Sequence, residues 1–217
     1  MPAPKKRINI ELHLSLSATF LSLAALVVSI FQTKIAREQQ QKSVLPYLQV
    51  RHQIQDNSVH IMLENKGVGP AFIRQILIGH GKNESTDYVN FISKELGAGE
   101  LRFNELSNRP KITDEAMMKE IKKDSLLTVW YDWWAASKAE DVVESGTAIK
   151  EGDLMTIYQW RKKGNVSGPF LDKLQDLMAD STYQIKIFYS DVYDNCWQLT
   201  HVHNKNNVTE LANCPEP

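Results

Sequence analysis

Residues 12–31 (LHLSLSATFLSLAALVVSIF) form one apolar run without an Asp, Glu, Lys or Arg, and the chain beyond it mixes polar and apolar positions throughout. Twenty helical residues cover roughly 30 Å, the thickness of a bilayer hydrocarbon core. The run therefore predicts one transmembrane helix. A cleaved signal peptide is the competing reading, with Ser22-Leu23-Ala24 as a small-residue site, but the apolar run continues beyond it to Phe31. Residues 32–43 hold helix formers and no breaker, which predicts a helical stalk ended by Pro46.

After Pro46 the pattern changes to short alternations. Residues 47–54 and 59–65 read as a hairpin, and 71–78 as a third strand after a Gly- and Pro-rich loop. Residues 87–96 read as a helix stopped by Gly97, and 101–106 as a short strand. Residues 113–123 read as a helix capped by Thr113, with acids first and lysines last. The β-branched and aromatic stretch 126–136 reads as a strand, and 146–160 as two strands about Glu151-Gly152-Asp153. Residues 169–179 read as a helix with proline in its first turn. Residues 182–192 and 196–202 read as a last hairpin, and the polar residues from 204 onward as a loose tail. The predicted fold class is mainly β, an Ig-like β-sandwich with α-helical insertions, preceded by one N-terminal transmembrane helix and a helical stalk. The expected division is a basic flank 1–11, the transmembrane helix 12–31, the stalk 32–46, the sandwich 47–203 and the polar tail 204–217.

Charge narrows the partners. The first 46 residues take six of the 25 basic and two of the 26 acidic residues, which leaves the remainder at net −5. A mildly acidic domain excludes nucleic acid as an expected partner, since phosphate binding needs a basic surface. The membrane is the expected partner. Lys5, Lys6 and Arg7 form a denser cluster beside the apolar run than Lys34, Arg37 and Lys42. The positive-inside rule then favours an N-terminus inside and the domain on the extracytoplasmic side of the membrane. Ser15, Ala18, Ser22, Ala25 and Ser29 recur at spacings of three and four, a seam of small side chains on one helix face. Such a seam lets a second helix approach closely, as in a homodimer or a pairing with another membrane protein; a Ser/Ala-rich segment also produces one by chance.

Candidate chemistry is sparse. Cys196 and Cys214 could form a disulfide in an oxidising compartment or stay thiols in a reducing one. Asp191, Asp194, His201 and His203 are the one cluster of ligand-type residues. His201 and His203 would share a strand face, and the aspartates lie across a hairpin, a set that could hold a metal. The structural alternative is a solvated strand end with aspartates serving turns. Trp130, Trp133 and Trp134 crowd one stretch with Tyr131, which raises an exposed aromatic surface beside the plainer reading of core packing. Asn65, Gly67, Gly69 and Pro70 read as a structural turn, in which glycine allows positive φ and asparagine bonds the loop backbone. A phosphate-cradling loop would need a helix and a Lys-Ser/Thr pair after it, whereas a strand follows.

The turn Asn65-Lys66-Gly67-Val68-Gly69-Pro70-Ala71 resembles one found in a group of small, uncharacterised bacterial membrane-anchored proteins, which have one N-terminal helix and a β-sandwich. The Arg37-Glu38-Gln39-Gln40 stalk, the entry 43–48 and residues 189–197 (YSDVYDNCW) extend the resemblance; residues 80–180 lack it. It implies fold and anchoring and brings no activity or cofactor. The expected function is a single-pass, membrane-tethered, non-catalytic interaction domain. The alternative is a tethered metal-dependent hydrolase centred on Asp191, Asp194, His201 and His203; a small-ligand sensor using Trp130–Trp134 is a third.

Overall fold

A computed structural model describes residues 10–55, 57–110, 112–135, 138–141, 143, 146–162 and 168–215. Lys5, Lys6 and Arg7, on which the predicted orientation leans, lie outside them. The chain divides into two compact units, 1–43 and 44–217. The first is one 33-residue helix, α1 (Ile10–Lys42), long and apolar enough to cross a membrane, with none of its apolar window buried. Its hydroxyls are satisfied inside the helix: Ser17 Oγ donates to His13 O, Thr19 Oγ1 to Ser15 O and Ser22 Oγ to Ala18 O. Such back-bonding would let polar side chains enter lipid without an orphaned donor.

The second unit starts with strands β1 (Leu48–Gln55), β2 (Ser58–Asn65), β3 (Ala71–His80) and β4 (Asn83–Ser85). Helices α2 (Tyr88–Glu95), α3 (Gly97–Ser107), α4 (Asp114–Ile121) and α5 (Ser125–Trp134) follow. Strands β5 (Lys138–Asp141), β6 (Ala148–Ile149) and β7 (Leu154–Arg161) lead to helix α6 (Pro169–Ala179). Strands β8 (Gln184–Ser190), β9 (Cys196–Val202) and β10 (Lys205–Leu211) complete it. The strands form two sheets, β1-β2-β7-β5 and β10-β9-β8-β3-β4, with β6 pairing β3. All pairings are antiparallel. Their inward residues, Val50, Ile61 and Trp160 on one sheet and Ile78, Ile185 and Leu199 on the other, share one buried core with Tyr88, Phe91 and Leu174 from the helices.

Helix outweighs strand, 42% against 32%, so "mainly β" describes the paired sheets and not the whole chain. Three sequence expectations change. Residues 101–106 belong to α3, because Leu96 closes α2 and Gly97 opens the next helix instead of ending the chain's helical course. Residues 126–136 are mostly α5, not a strand. Asp124 caps it by accepting from Leu126 N and Leu127 N, and Leu127, Trp130 and Trp134 follow helical spacing. The two strands expected about Gly152 are present as β6 and β7, which join different sheets, β6 beside β3 and β7 beside β2. The polar tail forms β10, paired with β9 through a two-residue loop in which His203 and Asn204 both take positive φ, the geometry of a type I′ turn. A Cys196–Cys214 disulfide, Cα–Cα 5.2 Å, then ties the end of the tail to the start of β9.

The Asn-x-Gly-x-Gly-Pro turn clamps the point where the chain enters the domain. The buried Asn65 carboxamide makes four bonds: Oδ1 accepts from Tyr47 N (3.2 Å) and Gly67 N (3.0 Å), and Nδ2 donates to Gly69 O (2.8 Å) and Ile149 O (3.0 Å). Lys66 N and Val68 N donate to Tyr47 O and Leu45 O. Neither Gly67 nor Gly69 has positive φ. Each is glycine because the entry segment passes too close: a Cβ at Gly67 would overlap Tyr47 N and Leu45 O, and one at Gly69 would overlap Val44 O. Loss of the carboxamide in Asn65→Ala strands buried partners and is expected to cost about 3 kcal/mol or more. Gly69→Ala is expected to destabilise through backbone overlap. Urea unfolding of the detergent-solubilised full chain checks both; wild-type midpoints would remove the clamp's importance.

Candidate functional site

The ligand-type cluster does not assemble. Ser190 pairs with Cys196 at one end of the β8–β9 hairpin and Ile185 pairs with His201 at the other. Five strand steps separate the ends, roughly 16 Å. Asp191 is buried and serves its turn: Oδ1 accepts from Tyr193 N (2.8 Å) and Asn195 N (3.0 Å), and Oδ2 from Asn195 Nδ2 (2.8 Å). Asp194 faces solvent and pairs with Arg74 at 3.0 Å. His203 sits in the type I′ turn, past the end of β9, so it does not share a strand face with His201. Among the described residues no group of three or more His, Cys, Asp or Glu side chains is placed to share a metal.

The tryptophans divide by helical, not strand, periodicity. Trp130 and Trp134 lie one turn apart on α5 and stack at 5.7 Å and 11°. Phe103 of α3 lies 4.6 Å from Trp130 and 5.8 Å from Trp134. Trp130 is 5% exposed and Trp134 58%, so only Trp134 of the three presents a large open surface. Trp133 works as a strut: its Nε1 donates to Tyr158 Oη and its carbonyl accepts from Trp160 Nε1, both at 3.3 Å. Asp132 on the same helix is buried, pairs with Lys162 Nζ, and accepts from Phe170 N. It thus caps α6 from outside, and Gly168 leaves it room, since a Cβ there would overlap the carboxylate.

A third place was not singled out by sequence. A cleft of about 520 Å³ runs along β1 and is closed by α6 and the β9–β10 hairpin. Leu48, Val50, His52 and Ile54 occupy the inward register of β1; Leu199 and His201 occupy that of β9. One histidine from each sheet therefore meets the other inside the fold, with rings edge to face at 4.7 Å. His201 is 2% exposed.

Asn206 of β10 organises the pair. Its Nδ2 donates to Val50 O (3.2 Å) and its Oδ1 accepts from Val50 N (3.0 Å), which fixes the direction of the carboxamide. The same Oδ1 lies 3.0 Å from His201 Nδ1. An oxygen there requires Nδ1 to carry the proton, so neutral His201 keeps its lone pair on Nε2. The Nε2 atoms of both His52 and His201 are buried and have no hydrogen-bond partner among the described residues. Burial, together with the neighbouring His201, lowers His52 to about 4, opposed by a side-chain hydrogen bond to Asn204. Burial also lowers His201, against the bond to Asn206. Both imidazoles are neutral at pH 7.

Searches against protein-family models, curated proteins and solved structures find no match to this chain.

The neutral pair makes stability pH-dependent. His52 has a folded pKa of about 4 against 6.5 as a free side chain, so the unfolded chain binds the extra proton between those values. Stability is full above pH 6.5 and falls as pH drops towards 4. Between pH 7.5 and 4.5 the full chain, unfolded by urea in detergent with a chelator present, should lose roughly 2–3 kcal/mol more than His52→Gln. Parallel curves for the two proteins would show that His52 is not held neutral by the fold.

Proposed function

We propose that this protein is a single-pass bacterial inner-membrane protein whose Ig-like β-sandwich serves as a non-catalytic interaction domain on the extracytoplasmic side. The observation that carries the reading is α1: a 33-residue helix with an apolar, unburied span that stops two residues before a folded domain begins. Within the domain the entry segment 44–47 is fastened to the β2–β3 turn by three hydrogen bonds, those from Lys66 N, Val68 N and Tyr47 N. The Cys196–Cys214 disulfide supports the extracytoplasmic side, where such bonds persist. The resemblance to small membrane-anchored bacterial proteins supports the anchoring.

The non-catalytic part rests on what the polar groups already do. Asp191 holds a turn, Asp132 caps a helix and Asn65 clamps the entry. Ser15, Ala18, Ser22, Ala25 and Ser29 supply the face for a second transmembrane helix, and the inward bonding of Ser22 leaves that face small and smooth.

Two experiments test the reading. A reporter active only outside the cytoplasm, fused after Pro217, is expected to be active in a bacterial host; a silent fusion with an active cytoplasmic counterpart overturns the orientation. In a membrane dimerisation assay, replacing Ser22 and Ala25 by Leu is expected to abolish helix association, and undiminished association would remove the seam from the mechanism.

A further inference from the structure

The His52–His201 cleft has a use that the tether does not require. Three side chains that line it can donate to a soft or borderline metal: the imidazoles of His52 and His201 and the thioether of Met178. They come from three separate elements, β1, β9 and α6. Met178 lies one helical turn beyond the core residue Leu174 and is itself half-buried. Each imidazole has a buried Nε2 without a partner among the described residues, and in His201 the lone pair is on that atom. A buried acceptor left unmatched costs free energy, so the arrangement persists at a cost that a Lewis acid would remove.

The surroundings match a metal-binding histidine in a second respect. A ligating imidazole usually donates its other ring N–H to a fixed acceptor, which sets the tautomer and ring orientation. Asn206 Oδ1 does this for His201, and two bonds to the Val50 backbone hold it in place. We propose that His52, His201 and Met178 form a binding site for a copper ion, held as Cu(I).

The choice of ion follows from charge and softness. Among the described residues no carboxylate lines the cleft, and both cysteines are in the disulfide. Calcium and magnesium need several oxygen ligands, commonly charged, and are excluded. A divalent ion buried among neutral ligands keeps its full charge in a poor solvent, whereas Cu(I) carries half of it. Two neutral nitrogens and a thioether are the ligand types that suit Cu(I). Arg51 also borders the cleft, and its guanidinium is paired with Glu64 at 3.1 Å.

The test is an anaerobic titration of the detergent-solubilised full chain with Cu(I) supplied as its acetonitrile complex, in competition with bicinchoninate. No reductant is added, and thiol titration afterwards confirms that the disulfide is intact. One Cu(I) per chain is expected, with nitrogen and sulfur scatterers in the X-ray absorption spectrum. Met178→Leu should remove the sulfur scatterer and weaken binding. Loss of an outer-shell partner alone typically weakens metal binding by about 10- to 100-fold, so loss of a ligand in Met178→Leu or His52→Gln should cost at least roughly tenfold. His60→Gln on β2 should change nothing. If His52→Gln does not fold, Met178→Leu decides alone. The proposal fails if the wild-type chain yields all its copper to the competitor, if it prefers Zn(II), or if Met178→Leu binds Cu(I) as tightly as wild type through an unchanged shell.

Discussion

Everything in the domain begins from one buried carboxamide. Asn65 ends β2, yet its side chain reaches the entry segment at Tyr47, its own turn at Gly67 and Gly69, and the short strand β6 at Ile149. Both donors and both acceptor directions are used, so no other side chain of similar size substitutes for it. An aspartate would lose the two donated bonds and bury a charge; a leucine would strand four backbone groups. The backbone follows the side chain: Asn65 N donates to Asp153 O and Gly152 N to Asn65 O, which fixes the start of β7 beside the end of β2. The order β1-β2-β7 of the first sheet is set around this point.

Asn206 repeats the device three residues into β1. There the carboxamide bonds both the N–H and the C=O of Val50 and passes its remaining oxygen valence to His201. Two asparagines thus fasten β1 to its neighbours, one at the chain entry and one at the histidine cleft. The second is coupled to protonation, because a charged His52 or His201 would sit edge to face against the other ring in a region short of counter-charge. The metal proposal and the pH response are two consequences of the same neutral, under-bonded pair.

The sequence was read well where the signal was local. β1, β2, β3, β8 and β9 follow from alternation and turn residues, α6 from its proline and apolar stripe, and α4 from the Thr113 cap, which accepts from Ala116 N. It failed where tertiary contact chose between two local states. The stretch LLTVWYDWW has strand formers by type but helical spacing by position, and Asp124 before it was the overlooked start signal. Gly67 and Gly69 were recognised as necessary, but for torsion instead of proximity, since the passing segment is invisible along the chain. Of the candidate site, His201 was singled out with the wrong companions. Its true neighbour, His52, lies 149 positions earlier, and only the shared inward register of two strands in different sheets brings them together. A histidine in place of an aliphatic residue after Leu48 and Val50 was the signal available.

One feature of Asn206 extends beyond the cleft. β1 is an edge of its sheet and β10 an edge of the other, and each presents backbone groups that in principle invite another chain to pair. By inserting an amide between them, Asn206 occupies the Val50 donor and acceptor in the middle of β1. A foreign strand arriving there would find its central rung taken and would have to expel a side chain that three groups hold. Were the chain held at a membrane by α1, it would meet its own copies at high local concentration, and a stitched edge would oppose cross-β growth in such encounters.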